Sequence, residues 1–153
     1  MKYSRYNYST EKDSTVFEFI SIGSKGHIKK LVQYTEMNIE HYYNLGFGDY
    51  NDDLGEIDDE IITNNGDSIK VLATVVSTVY AFTAKYPNAH VFATGSSEVR
   101  TRLYRMGITN NLEELKEDFY VYGLQSNNTF GLFVPGEDYL GFLVTRKNKQ
   151  IKL

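Results

Sequence analysis

The 153-residue sequence contains no cysteine and no tryptophan, with only two prolines and three histidines. The lack of cysteine removes disulfide frameworks, thiol nucleophiles, zinc–thiolate centres and iron–sulfur clusters together. A chain of this length buries roughly 70% of the surface its unfolded form exposes, so it needs no such staple to fold. His27, His41 and His90 are scattered, without a spacing that would hold a metal. No run approaches the ~18 consecutive apolar residues of a membrane span. Residues 1–13 are polar and Tyr-rich and lack the apolar stretch of a secretory signal, so a cytoplasmic location is expected. A nucleophile elbow, a Walker phosphate loop, a dinucleotide glycine fingerprint and a metalloprotease helix are all missing, and no cofactor is expected. There is no internal repeat, linker or low-complexity segment, which leaves residues 1–153 as one domain, with 146–153 a frayed basic tail.

What is present is an ordinary globular balance, 41% hydrophobic and 24% charged, with 13 Tyr and 9 Phe. Tyrosine suits places where one ring edge is dry and the phenol is wet, such as pocket walls and interfaces. The net charge of −4 conceals a bipolar distribution. Seven carboxylates and no basic residue lie between Asp49 and Glu60; without that segment 16 basic residues face 13 acidic ones. Arg100, Arg102 and Arg105 cluster, and Arg146, Lys147, Lys149 and Lys152 crowd the C-terminus. The overall negative field disfavours nucleic acid as a partner.

Alternating β-branched and aromatic residues predict strands over 15–22, 27–35 and 41–48, the first two joined in a hairpin by Gly23-Ser-Lys-Gly26. Asp67 is placed to cap a helix whose apolar residues, Ile69, Leu72, Val75, Val76, Val79, Phe82 and Tyr86, recur at helical spacing. Its β-branched residues lower intrinsic propensity, so packing must hold it. Pro87-Asn88 ends it, and 90–94 returns as a buried strand. A short helix follows Gly95-Ser-Ser-Glu98, with Val99, Leu103 and Met106 on its apolar side and Gly107 as its stop. Asn110 and Glu113 resemble a capping box, and Leu112, Leu115 and Phe119 supply the next inner face. Residues 120–124 and 139–145 read as closing strands around a polar loop at 125–138. The expected class is α+β, a mostly antiparallel sheet packed against about three helices.

Asp49, Asn51, Asp53 and Glu60 match positions 1, 3, 5 and 12 of a calcium loop, but Leu54 stands where the turn needs glycine. A strand also precedes it instead of an entering helix, so a solvated acidic loop is the better account. The more informative constellation is Thr94-Gly-Ser-Ser-Glu-Val-Arg-Thr-Arg-Leu-Tyr-Arg105. A strand running through a Gly-Ser turn into a helix presents free amides at a positive dipole end, beside arginines able to grip phosphate or carboxylate. At ~100° per residue Arg102 and Arg105 lie within ~60° of each other, while Arg100 sits well around the helix. A helix of 18 residues rises about 27 Å and five strand residues return about 16 Å, so the second helix should begin near the start of the first. That juxtaposition would gather Asn64, Asn65, Asp67 and Lys70 with Gly95, Ser96, Ser97, Arg100 and Arg102 around one anion-receiving pocket, with Tyr104 as a stacking face for a nucleotide. The competing account is structural: Arg100 or Arg102 pairs with Asp58, Asp59 or Asp67.

At Asn64-Asn-Gly-Asp67, Lys70-Val-Leu-Ala-Thr-Val75, Phe92-Ala-Thr-Gly-Ser96 and Arg100-Thr-Arg-Leu-Tyr-Arg-Met-Gly-Ile108 the sequence resembles a family of small uncharacterised bacterial domains. Phe17-Glu-Phe19, Leu45-Gly-Phe-Gly-Asp49 and Asp58-Asp59 suit the same pattern, and Lys70 to Tyr104 is more distantly similar to phage-encoded hypothetical proteins. Ser97 departs from the threonine usual there, keeping a hydroxyl. The resemblance implies a domain type and a bacterial or phage context, without an activity.

Three functions are consistent with these residues. One is a binding or regulatory module for a phosphate-bearing molecule or acidic group. Another is a protein–protein interaction subunit of a defence or toxin–antitoxin-like pair, with an unknown protein partner. The third is a metal-dependent nuclease or phosphoryl-transfer enzyme using Asp58, Asp59 or Asp67 beside Arg100.

Overall fold

A computed structural model of the chain describes residues 2–11, 13–58 and 62–147. Among them lie nine strands: β1 (Ser9–Thr10), β2 (Val16–Gly23), β3 (Gly26–Glu36), β4 (Tyr42–Asn51), β5 (Glu56–Ile57), β6 (His90–Ala93), β7 (Phe119–Leu124), β8 (Phe130–Leu132) and β9 (Gly141–Arg146). Three helices complete the set: α1 (Ser68–Lys85), α2 (Glu98–Asn110) and α3 (Leu112–Asp118). The strands form one sheet in the order β1-β2-β3-β4-β6-β9-β7-β8, with β5 paired to β4 alone. Every pairing is antiparallel except β4 with β6, where Tyr42, Tyr43 and Asn44 run alongside His90, Val91 and Phe92. The α+β expectation is met. None of the described helices is long and apolar enough to cross a membrane.

Strand alternation decides which face is dry. Phe17 and Phe19 of β2, Val32 and Tyr34 of β3, Leu45 and Phe47 of β4, Phe142 and Val144 of β9 and Phe119 and Val121 of β7 all turn to the helices. Tyr104 and Ile108 of α2 and Leu115 of α3 join them in one core. α1 is buried on nearly every side, because the sheet lies beneath it, α2 flanks it and the N-terminal segment runs over it, with the Tyr6 amide donating to Thr74 Oγ1. This burial holds a helix of poor intrinsic propensity. Tyr34 stacks on Phe82 at 4.1 Å and shares a 2.8 Å hydrogen bond with Thr78 Oγ1.

Several local expectations need correction. α2 does not stop at Gly107; the glycine is buried inside the helix, where an added Cβ would lie 3.5 Å from Leu72 of α1. Nor is Val99–Leu103–Met106 the inward side of α2, which instead buries Arg100, Tyr104, Gly107 and Ile108. Asn111, not Asn110, precedes α3, and its side-chain amide donates back to Gly107 O without capping the helix. The loop read at 125–138 contains β8. Arg146 is no part of a loose tail: it ends β9 and donates to Thr83 Oγ1 and Tyr80 O, while the Lys147 amide donates to Asp118 O. The rest of that tail, 148–153, lies outside the described residues.

Candidate functional site

The residues expected to share one pocket separate into three environments around the starts of α1 and α2. The first is structural. Beyond its short pairing with β6, the edge of β4 is unpaired until β5 meets Tyr50 and Asn51. Into this gap α2 sends Arg100, 8% exposed, whose guanidinium donates to Phe47 O at 3.0 Å and to Asp58 O at 2.6 Å. The arginine thus does part of the work of a missing strand, donating to two main-chain carbonyls along this gap. Gly48 makes room, since a Cβ there would stand 3.3 Å from the guanidinium. Arg100 therefore does not face an open pocket, and it engages the backbone of Asp58 in place of a carboxylate. Tyr104, expected to offer a stacking face, is 7% exposed beside it. Burial pushes its phenol up to about 12, partly offset by the Arg100 charge and a hydrogen bond with the Phe47 backbone.

The second environment ties the 62–67 segment to the β2–β3 hairpin. Asn65, 1% exposed, accepts from the Lys25 amide at 2.6 Å and donates to Ser21 Oγ and Gly26 O. Its own carbonyl accepts from the Ser24 amide, and the backbones approach so closely that a Cβ on Gly23 would lie 1.9 Å from Asn65 O. Asp67 occupies the cap position of α1 but does not cap it; its carboxylate accepts from Tyr6 Oη and from Ser21 Oγ at 2.6 Å. The Lys70 ammonium lies 4.3 Å from the centre of the Tyr6 ring, and Asn64 Oδ1 accepts from the Gly66 amide. These are turn and corner contacts of ordinary structural kind.

Next to this corner lies a group the sequence reading passed over. Lys30 is 1% exposed; its ammonium pairs with the Asp49 carboxylate and donates to Thr63 O at 2.9 Å. The Thr63 amide in turn donates to Asp49 Oδ2 at 3.1 Å, so one buried ion pair fastens the backbone on both sides of one residue. Asp49 is thereby unavailable as the first ligand of a calcium loop. Asn51 Oδ1 accepts from the Asp53 and Leu54 amides, closing a turn, and Glu60 lies outside the described residues. Among the described residues no cluster of His, Asp or Glu could hold a metal. Asp58 and Asp67 are held in separate places, and Asp59 lies outside the described residues.

The third environment is an open cleft of ≈ 470 Å³ where α2 begins, bounded by Gly95, Ser97, Thr101, Arg102, Arg105 and the 138–142 stretch. Ser97 caps α2, its hydroxyl accepting from the Arg100 amide at 3.3 Å. Gly95 is packed so tightly on α2 that a Cβ would lie 2.4 Å from the Thr101 nitrogen, and its amide donates to Thr101 Oγ1. Arg105 pairs with Asp138, whose side chain is 98% exposed. Arg102 is exposed at the same opening, and Ser96 lies at the surface beside it. Gly95, Ser97 and Arg102 are thus together, with Arg105 added, while Asn64, Asn65, Asp67 and Lys70 belong elsewhere. Spacing on the helix had paired Arg102 with Arg105; only the position of the 138–142 stretch was illegible.

No curated protein and no solved structure matches the chain. A model described as a family of unknown function (DUF6934) matches residues 2–147, nearly the whole length, and the chain belongs to that family.

Proposed function

We propose that the protein is a binding module that receives an anionic group, phosphate or carboxylate, in the cleft at the start of α2. The observation that carries this reading is the convergence of Arg102 and Arg105 on one opening of ≈ 470 Å³. Arg105's carboxylate partner there is exchangeable: the Asp138 side chain is 98% exposed, and an ion pair so hydrated is worth about 0–1 kcal/mol. An incoming anion displaces Asp138 and gains two guanidinium donors in its place. Glu98, also lining the cleft, restricts how many negative charges fit. Thermal denaturation with inorganic phosphate, pyrophosphate and nucleotides is the test. At ten times its dissociation constant a true ligand adds ~1.4 kcal/mol and raises the melting temperature by about 3–5 °C. Asp138→Asn is expected to enlarge the shift and Arg105→Ala to abolish it; equal shifts in all three proteins would sink the proposal.

A second reading, an interaction subunit, is favoured by the sheet face turned away from the helices. There Tyr120, Phe130 and Leu132 are 47%, 48% and 68% exposed, with Phe92 against Phe130. If this face docks a partner protein, Leu132→Lys abolishes capture of that partner while leaving the unfolding free energy within ~0.5 kcal/mol of the parent; undiminished capture would remove this face from the interaction.

A further inference from the structure

The two ends of the sheet differ. β1 is two residues long and runs on into Glu11 and Asp13. A short edge flanked by charge discourages pairing with another chain. β8 has no such guard: from Phe119 to Gly136 the sequence holds no charged residue. Phe130, Leu132 and Val134 stand 48%, 68% and 49% exposed along it. The Phe133 amide donates to Val121 O, so Phe133 and Gly131 bond toward β7, while the amides and carbonyls of Phe130 and Leu132 point away from it. No described residue takes those outward groups. The next outward positions are closed on both sides. The Val134 amide donates to Tyr139 Oη, and the Asn128 amide donates to Gln125 O within the turn.

We infer that β8 pairs antiparallel with β8 of a second copy of this chain, joining the two sheets across a twofold axis at Gly131. This rests on the second reading above, in which this part of the sheet docks a protein, and names that protein as the chain itself. Unpaired main-chain groups in a row call for another strand, which a small molecule cannot supply. The open stretch matches its own copy. With Phe130 opposite Leu132 of the copy, and the reverse, every outward amide and carbonyl of both residues is used. A shifted register would set open groups against Val134 or Asn128, whose amides are engaged. At the axis Gly131 meets itself, where the two backbones come within about 4.5 Å and no side chain intervenes. On the outer face each Phe130 lies against a Leu132, an aromatic–aliphatic cross-strand pair made twice. Charge favours the same occupant. Unlike partners are sorted largely by complementary charge. This strip has none to offer, and so adds no local repulsion between two chains of net charge −4.

Sedimentation velocity of the full chain is the test. A reversible dimer is expected with a dissociation constant on the order of 10–100 μM, in keeping with a small interface. Leu132→Lys, at an exposed position, is expected to weaken it at least about tenfold with an unchanged circular dichroism spectrum. The lack of native cysteine allows a second measurement of the register. Gly131→Cys is expected to form an intermolecular disulfide under mild oxidation, since its two copies face each other at bridging distance. The Gln125 side chain that the new Cβ would meet can turn aside. Ser9→Cys, on the opposite edge, is expected to stay unlinked. A chain that remains monomeric up to about 300 μM overturns the inference. So does a dimer indifferent to Leu132→Lys, or cross-linking of Ser9→Cys as fast as that of Gly131→Cys. A monomer that nonetheless captures a different protein through Leu132 removes the self-pairing and leaves the second reading standing; a monomer that captures none removes both.

Discussion

Lys30→Met is expected to destabilise the protein by about 3–5 kcal/mol, the cost of leaving one member of a buried ion pair without its partner. For a chain of this size that lowers the melting temperature by roughly 10 °C or more. The reason is local and specific. Asp49, 8% exposed, would face the methionine with the Thr63 amide as its remaining hydrogen-bond partner among the described residues, and Thr63 O would lose its donor. Replacing both charges, Lys30→Met with Asp49→Leu, is expected to recover part of the loss, since two apolar side chains of similar volume pack where the pair was. Recovery is incomplete because the Thr63 amide and carbonyl are then both unpaired, at about 1–3 kcal/mol each. Urea titrations of the parent, both single variants and the double variant complete the cycle. Additive losses would show that the two charges do not interact and would refute the account given for this corner.

The second large effect is alkaline. Burial raises the Tyr104 phenol to about 12 from an ordinary 10.0. Burial also raises Tyr34, and burial together with the Asp118 carboxylate raises Tyr80. A phenol whose folded value lies above its unfolded value holds its proton more tightly when folded. Its contribution is therefore complete below pH 10, the unfolded value, and is lost as pH climbs through the folded one. Between pH 10 and 12 Tyr104 alone removes about 2–3 kcal/mol, and Tyr34, stacked in the core, adds to the slope. The protein is expected to lose stability as pH rises above 10 and then to unfold cooperatively. Phenolate absorbance should rise in two stages, exposed rings first and buried rings only with the loss of circular dichroism. A single smooth titration of all 13 tyrosines with the fold intact would contradict this.

The parts of this structure legible in the sequence were those governed by period and punctuation. Alternation placed β2, β3 and β4, and the 3.6-residue repeat with a following proline placed α1 within a residue of its observed end. What escaped is a set of polar groups on apolar faces. The alternation that turns Val32 and Tyr34 inward also turns Lys30 inward, and that of Leu45 and Phe47 does the same to Asp49. Opposite charges on the dry faces of adjacent strands are the mark of a buried pair, and the pattern was there to be used. Arg100 was illegible for a different reason. The unpaired stretch of β4 that it completes arises from the order β4-β6, a consequence of tertiary topology that no local window contains. The apolar spacing of Val99, Leu103 and Met106 was read as the inward side, with Arg100 turned to a pocket, and the buried role of Arg100 rotates α2 away from that reading. The site suffered most, because it assumed that two helix starts close in space must open on the same side.

The sheet order also bears on how the chain is made. β2, β3 and β4 are sequence neighbours joined by short turns, so they can pair as soon as they leave the ribosome. The strip they form carries Phe17, Phe19, Val32, Tyr34, Leu45 and Phe47 on one side, and α1, the helix that covers it, is synthesised only afterwards. During the seconds that translation needs to deliver the next thirty or so residues, at about 5–20 residues per second, this nascent meander lacks the helix that buries most of its apolar face. A holdase chaperone, or slow codons placed after α1 and never before it, would suit such a birth order.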